Sequence, residues 1–233
     1  MVAFFYMIRL ILYSFFFSNI ALCFGQDSLL VNKKYLEDQI YVGINYNILQ
    51  NKPEFLQQKG ISINYQLGFI KDLPLNKKGT IALGIGLGYA YNKFNQTLKI
   101  NDGTPEFSVI TDDDYSKNKF ETHAIEIPFE IRIRKSSPTV YKFWRIYAGA
   151  KIAYVFSSRS IYKNVDSSEI IKLTPIPYLN KWQYGPQISF GYGTWNIYTF
   201  FNLNQLFNEA PISERVDVNQ MKSFKIGLQF YIF

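Results

Sequence analysis

The sequence predicts an all-β protein, an eight-stranded antiparallel transmembrane β-barrel, and its patterning, hydropathy and composition all support this prediction. Apolar and polar residues alternate along most of the chain, and the connections between the alternating segments are short and long in turn. After Gln26 no apolar run approaches the roughly 20 residues that a membrane helix needs. Aromatic and charged residues each make up 18% of the 233 residues, which argues against both a disordered chain and an ordinary cytosolic enzyme.

Residues 1–25 form the most apolar part of the chain, with Arg9 as their only charge. This pattern predicts a secretory signal peptide that is cleaved after Gly25. A membrane anchor and a lipoprotein lipidated at Cys23 are alternatives, although Leu22 is bulky for a lipidation site. Cleavage would remove Cys23, the only cysteine, so the mature chain would have no disulfide and no thiol chemistry.

The remaining chain divides into a periplasmic N-terminal segment, residues 26–38, and the barrel, residues 39–233. The alternation is clearest from Ile125 to Arg134, where every second residue is apolar and most of the others are ionic. Several segments are long enough to cross a bilayer at a tilt. The predicted strands begin near Ile40, Gly60, Thr80, Ile125, Phe143, Trp182, Trp195 and Phe224.

The connections predict which end of the barrel faces the periplasm. Short periplasmic turns and long external loops are typical of outer-membrane barrels. The short connections are residues 72–78, 135–141 and 193–194, and the long ones are near 101–117, 163–180 and 208–221. The first connection, around residues 51–53, is expected to be short although it falls on the external side.

In such a barrel the apolar faces contact lipid and the polar faces fill a narrow lumen. Charges in a narrow interior are costly unless they are paired, so we expect a salt-bridged plug that conducts ions poorly. Pairing across the turn near residue 138 would bring Glu126 close to Lys151 and Glu130 close to Arg145, within two residues of register. The predicted lumen charge network is Glu126, Glu130, Arg132, Arg134, Arg145, Lys151 and Lys225.

Two further features bear on this network. The strand from Thr80 carries only small residues on its polar face, which leaves room for long charged side chains from its neighbours. The network has more positive than negative groups, and acidic residues of the N-terminal segment are expected to offset part of the excess at the periplasmic mouth. These residues are Asp27, Glu37 and Asp38.

Aromatic residues mark the predicted membrane interfaces and the end of the chain. Trp144, Trp182 and Trp195 each lie near a strand start, where an amphipathic ring would sit among lipid headgroups; ordinary sheet packing is the alternative. The last segment resembles the assembly signal of outer-membrane barrels. Its residues are Lys225, Gly227, Phe230, Ile232 and Phe233.

Chemical motifs are weak, and we expect no enzyme activity, no cofactor and no metal. His123 is the only histidine, and nothing in the spacing of nearby serines and aspartates specifies a catalytic triad. Residues 112–114 are three adjacent aspartates without a further Ca²⁺-ligand pattern. Gly84, Gly86 and Gly88 alternate within a strand, and no helix follows to bind a nucleotide phosphate. The net charge of +7 is dispersed, which favours outer-membrane lipids over nucleic acid as neighbours.

Two segments, KGTIALGIGLGYAYN at residues 78–92 and HAIEIPFEIRIRKSSPTVYKFWRIYAGAKIAYVFSSRS at residues 123–160, resemble the PorT (SprT) family of outer-membrane β-barrel proteins. The resemblance implies a component or assembly factor of the type IX secretion system, which exports cargo with C-terminal sorting domains and in some bacteria supports gliding motility. It implies the other secretion subunits and the barrel assembly machinery as partners. A small porin- or adhesin-like barrel and a lipid-modifying enzyme that uses His123 are the alternative functions.

Overall fold

The computed structural model describes residues 38–76, 78–101, 103, 107–110, 115–135, 143–166, 170–212 and 216–232. The predicted signal peptide and residues 26–37 lie outside this range. The strands are β1 (Gln39–Gln50), β2 (Ile63–Pro74), β3 (Ile81–Asn95), β4 (Leu98–Ile100), β5 (Phe107–Val109), β6 (Tyr115–Arg134), β7 (Trp144–Asn164), β8 (Ile170–Leu173), β9 (Trp182–Tyr192), β10 (Trp195–Phe201) and β11 (Lys222–Ile232).

Eight of these strands form a closed antiparallel barrel, which confirms the predicted fold. Around the barrel their order is β1, β2, β3, β6, β7, β9, β10 and β11, and each pairs with the strand before it. The circle closes where β11 pairs with β1, from Ile40 opposite Ile232 to Gln50 opposite Lys222. The short strands lie beyond one end of the barrel: β4 pairs with β5, and β8 extends the sheet beside β7.

The apolar residues of the alternating strands face outward and the polar residues face the lumen, as predicted. Leu87 on β3 and Ile131 on β6 face outward and are 62% and 53% exposed. Glu126 and Arg132 lie on the opposite face of β6 and are buried. An apolar outer wall around a polar interior is the arrangement of a barrel in lipid. Within the described residues there is no helix of the length and apolar character needed to cross a membrane.

The connections separate the barrel into two ends. Short turns lie at one end, the turn end, at residues 75–80, 135–143 and 193–194. The connections at the other end, the loop end, are residues 51–62, 96–114, 165–181 and 202–221. The expectation of a short first connection is wrong, because residues 51–62 turn back over the barrel. There Gln58 pairs with Gln96 in an isolated bridge and Leu56 is fully buried.

The connections at the loop end fold together over the barrel mouth and share one hydrophobic cluster, here called the loop core. All four connections supply residues to it, and the ends of β1, β3 and β6 complete it. Phe207 packs near its centre, with its ring 5.4 Å from that of Phe107 and 6.1 Å from that of Phe120. The loop core consists of Leu49, Leu56, Phe94, Leu98, Ile100, Phe107, Phe120, Ile176, Leu206, Phe207, Ala210, Val216, Val218 and Met221.

Candidate functional site

The lumen near the turn end holds a buried ionic cluster centred on Asp72. One carboxylate oxygen of Asp72 accepts a hydrogen bond from Arg132 and the other accepts one from Arg134. Arg132 also donates to the side-chain oxygen of Gln39 on β1. All four side chains are almost inaccessible to solvent. A carboxylate shared by two guanidinium groups compensates buried charge that would otherwise be costly.

Glycines of β3 make this cluster sterically possible. Asp72 and Arg132 do not lie on adjacent strands, since Asp72 pairs with Gly84 and Gly84 pairs with Glu130. A Cβ at Gly84 would lie 2.7 Å from Cδ of Arg132, closer than real side chains approach. The missing side chain at this position therefore lets Arg132 cross β3 and reach Asp72.

A second ionic cluster occupies the middle of the lumen. The Nζ atom of Lys151 lies 3.0 Å from a carboxylate oxygen of Glu126, and Nζ of Lys225 lies 3.8 Å from the same oxygen. Lys151 also donates to the hydroxyl of Tyr198 at 2.8 Å. In the β6–β7 pairing Glu126 lies opposite Ala153, two residues from its sequence-predicted partner.

Glu130 and Arg145 lie apart from each other in register, since Glu130 pairs with Gly149 and Arg145 pairs with Arg134. Glu130 accepts a hydrogen bond from Nε2 of Gln187 at 2.9 Å and lies 3.5 Å from Nε of Arg132. The sequence-based expectation paired Glu130 with Arg145. In the structure its close contacts come from β9 and from its own strand.

Cationic side chains outnumber carboxylates in the lumen, and aromatic rings contact several of these cations. The guanidinium of Arg132 lies 4.1 Å from the ring centre of Tyr147, and that of Arg145 lies 4.6 Å from the ring centre of Phe143. The ammonium groups of Lys151 and Lys225 lie 4.7 and 5.2 Å from the ring of Phe200. Such contacts stabilise a desolvated cation by up to about 2 kcal/mol.

A row of amide side chains lies between the ionic clusters and the loop core. Asn45 donates to Asn64 at 2.8 Å, Asn64 donates to Asn92 at 3.0 Å, and Asn92 donates to Thr122 at 3.1 Å. The row crosses four adjacent strands and all of its members are buried. The lumen is thus filled in turn by charged, amide and apolar side chains.

Of the acidic residues expected from the N-terminal segment at the periplasmic mouth, Asp38 is among the described residues. Asp38 is exposed and accepts a hydrogen bond from the backbone N–H of Asp72 at 3.1 Å. Asp27 and Glu37 lie outside the described residues. The additional negative charge inside the barrel comes from Asp72.

The three tryptophans face outward near the two ends of the strands. Trp144 and Trp195 lie at the turn end, 56% and 64% exposed, and the backbone of each pairs with that of Tyr192. Trp182 lies at the loop end, is 56% exposed and pairs with Tyr154. Exposed aromatic rings at both ends of the strands are typical of membrane-interface belts.

The residues of the resembled assembly signal lie on both faces of β11. Lys225 is buried in the lumen, whereas Ile232 is half exposed on the outer wall. The ring of Phe230 packs edge-on against Trp195 at 4.8 Å. A Cβ at Gly227 would collide with the backbone of β1, so glycine lets these two strands pair closely. Phe233 lies outside the described residues.

His123 lies on the outer wall, where its Nδ1 is 2.6 Å from the hydroxyl of Tyr89. Its ring also packs 5.2 Å from that of Tyr91. Across the described parts of the chain no three His, Cys, Asp or Glu side chains gather to form a metal site. The aspartates at 112–114 are not among the described residues.

A known family matches most of this chain. The outer membrane protein beta-barrel domain matches residues 24–210. The chain belongs to this family. It is therefore an outer-membrane β-barrel, with its turn end facing the periplasm and its loop end facing outward.

Solved structures with a similar arrangement include two crystal structures of Ail, the attachment invasion locus protein of Yersinia pestis. The first is 10% identical, covers 84% of this chain and 97% of the Ail chain, and has a TM-score of 0.37. The second is the complex of Ail with the heparin analogue sucrose octasulfate; it is 10% identical, covers 84% of this chain and 99% of that chain, and has a TM-score of 0.36. No curated protein matches the chain.

Two parts of this outer-membrane barrel were not predicted from the sequence. Asp72 was assigned to a turn, although Asn64, Gln66 and Asp72 share one polar face of β2 and this period could have placed it in the lumen. The residues of the loop core do not repeat at a regular spacing in the sequence. They are scattered over several irregular connections and meet only in the folded structure.

Proposed function

We propose that this protein is a non-enzymatic outer-membrane barrel that serves protein export by the type IX secretion system, as a subunit or an assembly factor. The closed lumen is the observation that supports a role other than that of the export channel itself. Ionic clusters fill the periplasmic half and the loop core covers the external mouth. An exported polypeptide needs a far wider passage than eight strands enclose, so the protein acts through its surfaces.

The secretion role itself rests on the resemblance of residues 78–92 and 123–160 to the PorT family. These segments correspond to much of β3, β6 and β7, which supply the glycines, Glu126, Glu130 and Arg132 of the lumen. The resembling segments thus supply a large part of the charged interior. A non-conducting barrel suits a role in positioning or assembling other secretion subunits.

Deletion of the gene tests the secretion role. We expect cargo with C-terminal sorting domains to be retained in the periplasm and to return to the cell surface when the full gene is restored. A periplasmic protein without a sorting domain is the control and should not change its location. Unchanged export of the sorted cargo would refute the proposal.

Conductance tests the closed lumen separately. We expect the purified full chain in planar lipid bilayers to give no stable single-channel steps in 1 M KCl, because charged, amide and apolar side chains fill the lumen. Regular conductance steps would instead identify a small porin. A known eight-stranded or larger conducting barrel, purified and inserted in the same way, serves as the positive control.

An adhesin-like barrel is the second candidate, and the loop core favours it. Packing of the external connections around shared apolar residues gives the protein a built external surface on which a ligand could bind. Export that continues after gene deletion, combined with loss of attachment to host or neighbouring cells, would support this function over secretion.

A further inference from the structure

We propose that the external end of the outer wall binds the phosphorylated core of lipopolysaccharide through a cationic groove. The groove lies on β6, β7 and β8, beyond the lipid-facing part of the barrel. This inference adds a ligand to the protein and does not depend on the secretion role. The groove is lined by Ser116, Lys117, Arg159, Ile161, Lys163, Ile170 and Lys172.

The pairing of the strands brings these cations together on one face. Lys117 lies directly opposite Lys163 in the β6–β7 pairing, and Lys172 on β8 lies opposite Ile161, diagonal to Lys163. Residues that are directly opposite in an antiparallel pair share a face, with Cβ atoms about 5 Å apart. Like charges in this position repel each other, and a bound anion would remove the repulsion.

The carboxylate of Glu121, beside the groove, is already paired with cations. Glu121 forms ion pairs with Lys119 and with Arg159, the latter at 2.7 Å, and it accepts a hydrogen bond from Tyr91 at 2.8 Å. No ion pair joins Lys117, Lys163 or Lys172 to a carboxylate of the described residues. All three side chains are exposed to solvent, where an external anion can reach them.

The distance of the groove from the lipid-facing wall indicates which ligand it can bind. Trp182, paired with Tyr154, marks the external rim of the lipid-facing wall, and β7 continues to Asn164. At about 3.4 Å per residue and a tilt near 40°, Arg159 and Lys163 lie roughly 13 and 23 Å beyond that rim. A phospholipid headgroup layer is only about 5–7 Å thick. Phosphates on the core sugars of lipopolysaccharide lie outside the phospholipid headgroups, so we infer that they are the anions that the groove meets.

The test compares two triple variants of the full chain with equal loss of charge. K117Q/K163Q/K172Q removes the groove cations, and K52Q/K181Q/K222Q removes cations of other external connections and strand ends. Each purified protein is titrated with lipopolysaccharide that has a phosphorylated core. We expect the groove variant to bind about tenfold more weakly and the control variant to stay within twofold of the wild-type protein. Equal loss in both variants, or no loss in either, would overturn the proposal.

Two further probes separate the core phosphates from other sources of negative charge. Chemically dephosphorylated lipopolysaccharide should bind the wild-type protein as weakly as the groove variant binds the intact form. Phosphatidylglycerol vesicles should bind the wild-type protein and the groove variant equally. A groove variant that loses vesicle binding to the same extent would assign the site to ordinary lipid headgroups and contradict the proposal. Binding should also weaken as salt concentration rises.

Discussion

Replacement of Asp72 with Ala is expected to destabilise the barrel by about 3–5 kcal/mol, the usual cost of removing one partner from a buried ion pair. Asp72 is fully buried and bonds both Arg132 and Arg134. Without it, both guanidinium groups lose their shared carboxylate in a lumen that already holds more cations than carboxylates. The measurement is a urea unfolding titration of the protein refolded into lipid vesicles.

Glu54→Ala is the matched control, because it removes an exposed carboxylate from the first external connection. It should change the free energy of unfolding by less than about 0.5 kcal/mol. Adding Arg132→Met to Asp72→Ala should recover part of the lost stability, since one of the two buried cations that lost Asp72 is removed. An Asp72→Ala variant as stable as the wild-type protein would show that this ionic cluster does not hold the lumen together.

Replacement of Phe207 with Ala is expected to destabilise the loop core by about 3–5 kcal/mol, the usual cost of removing a buried phenyl ring. Phe207 is completely buried and contacts the rings of Phe107 and Phe120. Most members of the loop core belong to the external connections, so the change should affect these connections more than the membrane-spanning strands. Limited proteolysis of protein in sealed vesicles, with the external end outward, measures this effect.

The expected result is faster cleavage within the external connections, while the membrane-embedded strands remain protected. Ile212→Ala is the matched control, because Ile212 lies in the same connection as Phe207 but is 69% exposed. Its cleavage rate should match that of the wild-type protein. Equal cleavage of the Phe207→Ala variant would show that the loop core does not order the external connections.

The sequence predicted the barrel because a membrane wall imposes a period of two on every strand. The alternation from Ile125 to Arg134 corresponds residue by residue to outward and inward side chains in β6. Seven of the eight strand starts were predicted within three residues, whereas β6 begins at Tyr115, ten residues before the predicted Ile125. The family match and the closed sheet confirm the fold and the outer-membrane location.

The contacts in the lumen were harder to predict. The alternation along a strand shows whether a side chain faces the lumen or the lipid, but not which side chain it contacts. Glu130 was assigned to Arg145 from a hairpin register, whereas its contacts are Gln187 on β9 and Arg132. Asp72 reaches Arg132 across β3 only because Gly84 has no side chain. Contacts of this kind depend on strand tilt and on the curvature of the closed sheet, which single-strand patterns do not contain.

The seam between β1 and β11 joins residues from opposite ends of the barrel sequence. A chain that lacks its final strand cannot close, and β1 would then expose unpaired backbone groups to lipid or to other chains. Pairing of β1 with β11 closes a loop that contains the whole barrel sequence. This loop has the largest loss of chain entropy, which slows folding. Until Lys222–Ile232 pairs with β1, the sheet therefore stays open and both of its edge strands lack a partner.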